Sequence, residues 1–464
     1  MSTNISILSH SSRKREWRLK MMRKLSEIPV GELNPEEVPI AALMNEWAKT
    51  KSVDGANKVE MLLNRANAEV RAGNAHTGVQ LSTKMYTIAV DAWAKSKAGE
   101  KAALRAESIL QHMNDIYQST KNRDLKPTTG IFNAVVNAWA QSKDKKAASR
   151  CEQILDWMDS LYRNGNVDVK PDTYTYNTCM HALAQNGDKE SATKALGILE
   201  NMYEMYKCGN LSAKPETISF NIVINSLAKS KEKGAATEAE KLLYKMQMLH
   251  DSGELDVKPN VVSYCAVIDA YAKSMEKGAA SKGDLILANM IQLYQSDPVT
   301  NADLRPNTHV FNTLINCWSK STEDDAASRA EEVLVAMSDL QENGTPGIKP
   351  DSFSYTAVID AWAKSGHSGA ALRAEALLEE MELKYMAGDI DLKPTTYTYN
   401  AVIHSLAKSG EVQAASRAEK VLQNMVNRYR AGGTDVMPTT INFNTVLGAW
   451  AKSNSGRSGA ERAE

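Results

Sequence analysis

The chain has 464 residues and a formal net charge of −1, with 43% hydrophobic and 24% charged residues. No apolar run approaches the ~20 residues needed to cross a bilayer, which excludes a membrane-spanning protein, and the near-neutral charge gives no overall preference for a polyanion. The five cysteines are scattered and include no CxxC motif, which argues against a disulfide framework and against a zinc site.

The first segment of the chain is basic. Its first 25 residues hold seven Lys or Arg residues, five serines and one acidic residue. This composition is typical of an organellar transit peptide, and a short basic helix leading into the fold is the alternative. We therefore separate residues 1–34 as a basic N-terminal segment and a possible targeting sequence.

A long internal repeat follows this segment. Prolines recur every 44 residues from Pro127 to Pro259 and, after one step of 47, again every 44 residues from Pro306 onwards. Alignment on a downstream W-A-K-S element extends the series back by two repeats in steps of 46 residues. A fixed period of this kind indicates a repeat architecture. Ten repeats occupy residues 35–464 and start at 35, 81, 127, 171, 215, 259, 306, 350, 394 and 438, the last being incomplete.

Each repeat is predicted to hold two helices. In most repeats the first opens with an N-cap residue (Thr, Asp or Asn) just after the proline, and it runs to W-A-K-S. The second has a methionine 31 residues after the proline in seven repeats and ends at a glycine in six. A single hairpin cannot bury its apolar face, whereas stacked hairpins form a continuous core. The pattern predicts an all-α fold, a right-handed α-solenoid of tandem helix-turn-helix repeats with Trp, Ala and Met columns packed between helices.

The sequence carries no catalytic or metal-binding motif that we recognise. GxxxxGK[ST], HExxH and GxSxG are absent, and the eight histidines are scattered singly. Carboxylates of the second helices, such as Glu375 and Glu419, recur with the solvent-facing pattern and are predicted to be solvated. We expect no enzymatic activity in the repeats and no cofactor. Because the chain stops within the tenth repeat, we expect a truncated C-terminus, and a catalytic domain beyond residue 464 is an alternative.

Three columns of residues share one edge of the first helix. At 100° per residue, the third, sixth and fourteenth residues after the proline lie within about 80° of one another. The third column is often bulky and includes Tyr174, Ile218, Val262, His309, Phe353, Tyr397 and Ile441. The sixth is asparagine in six repeats, at Asn133, Asn177, Asn221, Asn312, Asn400 and Asn444. The fourteenth is lysine in eight repeats and glutamine in two: Lys49, Lys95, Gln141, Gln185, Lys229, Lys273, Lys320, Lys364, Lys408 and Lys452.

The recurring asparagine is unfavourable for a helix, since it costs roughly 0.5–0.7 kcal/mol relative to Ala. Stacked repeats would align an apolar row, an amide row and an ammonium row, which are the contacts that single-stranded nucleic acid needs. The alternative is structural, with asparagine bonded to a neighbouring group and lysine stabilising the helix C-terminus. The first-helix segments carry net positive charge and the remainder net negative charge, which favours a polyanion on the first-helix side.

These columns resemble the pentatricopeptide repeat family. The resemblance rests on the recurring (F/Y)-N-x-(V/L)-(I/V/L)-(N/D/H)-x-(W/L)-A-K-S, a second helix ending in E/Q-x-M, and a closing K-P-D/N/T, over about residues 35–464. Repeats of the family are usually shorter, and the surplus here falls at the end of the second helix and in the loop before K-P. The resemblance implies sequence-specific binding of single-stranded RNA, one base per repeat.

The resemblance also implies roles for individual residues. The sixth-position residue and the residue after the next proline jointly read a base edge, while the third column sandwiches bases and the lysines from Lys95 to Lys452 contact phosphates. Two pairs resemble the combination that prefers uridine in the family: Asn133 with Asp172, and Asn312 with Asp351. Pyrimidine is implied for Asn221 with Asn260, Asn177 with Glu216 and Asn400 with Thr439. Purine is implied for Thr87 with Thr128 and Thr356 with Thr395. No base is assigned to Cys265 with Asn307 or Ala41 with Ser82, and Asn444 lacks its partner.

We therefore predict a non-catalytic protein that binds pyrimidine-rich single-stranded RNA and acts in organellar RNA processing, stability or translation. The mitochondrion is the expected location, with the plastid as the alternative. A protein-binding scaffold, in which the amide row contacts an extended peptide, is a second hypothesis. The third is the RNA-guiding part of a longer enzyme.

Overall fold

The structure, a computed structural model, describes residues 40–72, 80–411, 413–433 and 436–453. These residues form nineteen α-helices and four short 3-10 turns, without a strand among them. The all-α repeat fold predicted from the sequence is confirmed. The predicted basic segment 1–34, the start of the first repeat and the second helix of the tenth lie outside the described residues.

The helices alternate as first and second helices of successive repeats. The first helices are α1 (Ile40–Ala48), α3 (Thr83–Lys95), α5 (Thr129–Ser142), α7 (Thr173–Asn186), α9 (Thr217–Ser230), α11 (Val261–Ser274), α13 (Thr308–Lys320), α15 (Ser352–Ser365), α17 (Thr396–Ser409) and α19 (Thr440–Lys452). The second helices are α2 (Val53–Arg71), α4 (Glu100–Thr120), α6 (Ala147–Arg163), α8 (Lys189–Lys207), α10 (Ala235–Asp251), α12 (Ala279–Ser296), α14 (Ala326–Glu342), α16 (Ala370–Met386) and α18 (Ala414–Arg430). Each described first helix therefore ends at or next to the W-A-K-S element, as predicted.

The chain divides into two compact units, Met1–Ser226 and Leu227–Glu464. Within the first unit, α3 packs on its own second helix α4 and on α5, and α4 also packs on α5. The same arrangement holds in the second unit for α15, α16 and α17. In both units these hairpins thus pack against the next one, as expected for stacked repeats.

The residue after the proline starts the first helix. The carboxylate of Asp172 accepts the backbone N–H of Thr175 at 2.9 Å, and the Thr175 hydroxyl accepts the backbone N–H of Asp172 in return. Asp351 and Ser354 form the same reciprocal cap. Such caps satisfy N–H groups that have no partner inside the helix. The cap therefore fixes where the first helix begins relative to the proline.

The predicted packing columns form the core. Trp93, Trp139 and Trp318 are almost completely buried. The methionine column has no exposed surface in any of its seven members: Met158, Met202, Met246, Met290, Met337, Met381 and Met425. Since burial of such a side chain contributes roughly 1.5–3 kcal/mol, these columns hold adjacent helices together.

The loop before each proline, which holds surplus residues of the long repeat, packs against the fold. The residue two before the proline is buried at Leu125, Val169, Ala213, Val257, Leu304, Ile348, Leu392 and Val436. The first residue of α5, Thr129, bonds through its hydroxyl to both the carbonyl and the N–H of Lys170 in the next loop, each at 2.8 Å. Thr308 bridges in the same way to Lys349. The longer loops therefore link consecutive repeats and do not project freely.

The prediction that second-helix carboxylates are solvated is wrong for Glu375 and Glu419. Glu375 is 4% exposed and lies 2.7 Å from Arg417 of the next repeat. Glu419 accepts the indole N–H of Trp450 at 3.1 Å. The sequence pattern could not show this because the partners lie in the next repeat.

These carboxylates belong to a recurring cluster between repeats. Glu331 accepts the indole N–H of Trp362 and an N–H of Arg373, each at 2.8 Å. In the first unit, Trp139 donates to Glu107 at 2.8 Å. Paired and hydrogen-bonded charges can be buried without a prohibitive desolvation cost.

Candidate nucleic-acid interface

The third column lies on an open face of the first helices. All seven predicted members from Tyr174 to Ile441 are exposed; for example, Tyr174 is 51% and Phe353 53% exposed. Large apolar side chains that are exposed in a repeating row are a sign of a binding surface. The row is therefore available to a ligand, and its base-sandwiching role stays a prediction.

The structure brings two of the predicted base-reading pairs together. The amide nitrogen of Asn133 lies 3.1 Å from both carboxylate oxygens of Asp172. In the second unit, the amide nitrogen of Asn312 lies 3.2 Å from both oxygens of Asp351. Each pair joins two consecutive repeats. These are the two pairs that resemble the uridine-preferring combination.

A third residue completes each pair. The Thr175 hydroxyl donates to the Asn133 amide oxygen at 2.5 Å, and Ser354 donates to Asn312 at 2.6 Å. Both hydroxyl residues are fully buried. This position is not among the residues predicted from the sequence, although a Ser or Thr recurs just before the aromatic residue, as in Y-T-Y-N and F-S-Y-T.

The structural alternative for asparagine is therefore realised in these two repeats. Asn312 is only 8% exposed, so much of its amide lies between hairpins. This structural role is compatible with the predicted base reading. Among the described residues, the Oδ2 atom of Asp172 accepts a bond only from Asn133. A carboxylate oxygen has capacity for about two such bonds. An amide donor and a carboxylate acceptor thus stand side by side with acceptor capacity remaining.

Two other predicted reading pairs are joined through the position that is equivalent to Thr175 and Ser354. Thr356 and Thr395 each contact the Thr398 hydroxyl, at 2.9 and 3.0 Å. The Asn400 amide oxygen accepts from Asn442, whose own amide oxygen accepts from Thr439. The position before the aromatic residue therefore links the predicted reading pair in both Asn and Thr repeats.

Other predicted reading residues are not brought together in this way. Thr87 donates to the Thr83 carbonyl within its own helix, at 2.9 Å, and Thr128 caps α5 only through its backbone. Cys265 is 6% exposed, and burial raises the pKa of its thiol to about 12. Asn260 and Asn307 use their side chains to cap their own helices.

The amide oxygens of Asn177 and Asn221 differ from those of Asn133 and Asn312. Both are buried and accept no hydrogen bond from the described residues. An unsatisfied buried acceptor costs roughly 1–3 kcal/mol, so these two amides are less well satisfied than those of Asn133 and Asn312. Asn444, in contrast, is exposed.

A groove in the first unit gathers several of the predicted residues. Its volume is about 1180 Å³, larger than the roughly 300–1,000 Å³ of small-molecule pockets. The predicted reading pair Asn177 and Glu216 lines it, and so do the predicted sandwiching residues Tyr174 and Ile218. Two predicted functions of consecutive repeats, base reading and base sandwiching, therefore share one open cavity.

The lysine column is exposed, with Lys273 half-buried, but it is not uniformly available. Lys95 pairs with Asp91 at 2.9 Å, and Lys273 with Asp269 at 2.5 Å, each one turn earlier. Lys364 pairs with Asp360, which also accepts from the hydroxyl of Tyr397. These carboxylates lower the net charge available to a phosphate. Lys320, Lys408 and Lys452 form no ion pair with the described residues.

Within the described residues, no cluster of His, Cys, Asp or Glu is suited to hold a metal ion. No helix in the same part of the chain is both long and apolar enough to span a bilayer.

Comparison with known proteins supports the resemblance. Residues 277–428 match the family model described as the pentacotripeptide-repeat region of PRORP, and residues 163–230 match a pentatricopeptide repeat domain. No curated protein sequence matches the chain. Among solved structures, the pentatricopeptide repeat protein PPR10 from maize is similar, with 16% identity and a TM-score of 0.48. That similarity covers 97% of this chain and 57% of the PPR10 chain. The two sequence matches identify pentatricopeptide repeats in residues 163–230 and 277–428 of this chain.

Proposed function

We propose that the protein binds single-stranded RNA sequence-specifically, one base per repeat, through the open face of its first helices. The observation that carries the proposal is the Asn–Asp pair, seen at Asn133 with Asp172 and at Asn312 with Asp351. Each pair offers a hydrogen-bond donor beside an acceptor and lies next to an exposed bulky residue of the third column. Base edges and base faces are the parts of an unpaired nucleotide that these groups would contact.

The proposed base preference follows from the chemistry of the pair. Uracil presents a carbonyl acceptor next to an N–H donor on its Watson–Crick edge. The amide N–H would face the carbonyl, and the carboxylate would accept the N–H. Together with the remaining Asn repeats, this arrangement supports a pyrimidine-rich target.

We further propose that the protein acts without catalysis, in organellar RNA processing, stability or translation. The pentatricopeptide repeats and the basic composition of residues 1–34 support this location. The mitochondrion is the first choice and the plastid the alternative. Fusing residues 1–34 to a fluorescent protein and imaging its location in cells tests the targeting role.

A binding selection from randomised single-stranded RNA tests the central proposal. At ~100 mM salt, where a few phosphate contacts still contribute, the protein should enrich a pyrimidine-rich motif. Enrichment of no motif, together with stable protein partners in a pulldown, would instead favour a protein-binding scaffold.

A further inference from the structure

Four lysines occupy the same strained position in their repeats. Each lies two residues after the fourteenth-position column, just past the end of the first helix, and each has a positive φ: Lys51 (51°), Lys97 (59°), Lys143 (57°) and Lys231 (54°). Three other repeats place glycine there, at Gly187, Gly366 and Gly410. Glycine is the residue that adopts the left-handed conformation without strain. Lysine at this position is therefore unfavourable for folding, and such strain is often tied to function.

The predicted phosphate column offers no free cation in the first unit. Lys49 pairs with Glu46 at 2.6 Å, and Lys95 pairs with Asp91 at 2.9 Å. The next two repeats have Gln141 and Gln185, which are uncharged. Single-stranded RNA bound along this unit would meet little positive charge from the fourteenth position alone.

The left-handed lysines of the first unit provide the missing charge. Lys51, Lys97 and Lys143 are exposed, and their ammonium groups make no ion pair or hydrogen bond with the described residues. Lys97 and Lys143 line the 1180 Å³ groove. They share it with Gln141, which stands where other repeats have a lysine.

We infer that Lys51, Lys97 and Lys143 form a second cationic row that binds RNA phosphates along the first unit. This inference rests on the proposed RNA-binding function. A phosphate contact is independent of base identity. The row should therefore contribute affinity and salt dependence without changing the base preference.

The test is the double variant Lys97→Gly/Lys143→Gly, with binding of labelled oligouridine and oligoadenosine measured at several salt concentrations. Affinity falls as salt rises, and each phosphate contact to a single strand adds about 0.7 to the steepness of log affinity against log salt. Loss of two contacts should therefore make this slope shallower by about 1.4. Near ~0.1 M salt, each lost contact should weaken binding about fivefold. The ratio of the affinities for the two RNAs should stay unchanged.

The same double variant should be more stable than the native protein. Glycine relieves the left-handed strain, so the melting temperature should rise by roughly 2–4 °C. Weaker binding by a more stable protein cannot be attributed to misfolding.

The matched control is Lys121→Gly. Lys121 has the same strained conformation, with φ 54°, but it ends the second helix α4 and does not line the groove. This variant should gain stability while RNA affinity and the salt slope stay at native values.

Two results would overturn the inference in different ways. If the native protein binds RNA and the double variant keeps both affinity and salt slope, the second cationic row is disproved and RNA binding stands. If the native protein binds neither of the two oligonucleotides and retains no RNA from a randomised pool, the proposed function is wrong, and the second cationic row is wrong with it.

Discussion

The amide of Asn312 and the carboxylate of Asp351 are hydrogen-bonded across 39 residues of sequence, with the amide nitrogen 3.2 Å from both carboxylate oxygens. Ser354 donates to the amide oxygen at 2.6 Å. Three side chains from two repeats are thus held in one geometry. A ligand that meets this pair finds a donor and an acceptor already oriented, which reduces the entropy cost of binding.

Replacing Asn312 with threonine should change base preference at a single nucleotide. We expect a shift from pyrimidine toward purine there, because the amide donor is lost and a smaller hydroxyl takes its place. Selection from randomised RNA, followed by sequencing, measures the change. The reverse substitution Thr356→Asn should move the neighbouring nucleotide toward pyrimidine. An unchanged motif in both variants would show that the sixth position does not read bases.

Two substitutions at Asp351 should separate its helix cap from its proposed base contact. Asp351→Ala removes the cap and should lower the free energy of unfolding by about 1 kcal/mol. Asp351→Asn keeps a capping oxygen and should remain close to native stability. Both should alter base preference at the same nucleotide. Denaturant unfolding and RNA selection on the same samples check the two effects, and a motif that neither variant changes would restrict Asp351 to capping.

The Glu331 carboxylate should be important for stability. It accepts from Trp362 and Arg373, and the residue is 9% exposed. Glu331→Ala leaves the indole N–H of Trp362 without its acceptor, so we expect a loss of about 2 kcal/mol in urea unfolding. Glu375 provides the comparison, because its repeat neighbour has Leu406 in place of the tryptophan. Glu375→Leu should cost less than about 1 kcal/mol or stabilise the fold, and equal losses for both variants would contradict this account.

Glu375 should also make stability depend on pH. Burial raises the pKa of its carboxyl above the ordinary value of 4.5, although Arg417 opposes the shift. The folded state then holds the proton more tightly than the unfolded chain. The resulting stabilisation is complete below pH 4.5 and is lost as pH rises through the raised pKa.

Comparison with Glu375→Gln isolates this effect. The unfolding free energy of the variant minus that of the native protein should increase from below pH 4.5 toward neutral pH, since glutamine cannot ionise. Urea unfolding across this range gives the difference directly. A constant difference would show that the carboxyl has its ordinary pKa.

The thiols should differ sharply in reactivity. Cys208 is exposed, whereas Cys151, Cys179, Cys265 and Cys317 are buried, and none is in a disulfide. Burial raises the pKa of the Cys317 thiol to about 12, so little thiolate forms at neutral pH. Alkylation of the native protein at pH 8 followed by mass spectrometry should modify Cys208 alone. Rapid labelling of Cys265 would instead indicate that its base-reading position opens in solution.

Much of the fold was predictable from the sequence. The repeat period, the two helices of each repeat, the buried methionine column and the capping role of residues such as Asp172 all follow from short-range patterns. Helix spacing, N-caps and terminating glycines depend on interactions within a few residues, and each residue type carries its own preference. The third, sixth and fourteenth columns could be placed on one edge for the same reason.

Contacts between repeats were decided only by the tertiary structure. The Asn133–Asp172 bond, the buried Thr175 hydroxyl and the carboxylate of Glu375 all depend on partners about 40 residues away. The Glu375 carboxylate was predicted to be solvated, because a helical pattern shows which face a residue lies on but not what covers that face. Stacking of one hairpin on the next brings these groups together. It also shows which lysines are paired and which remain free to meet a phosphate.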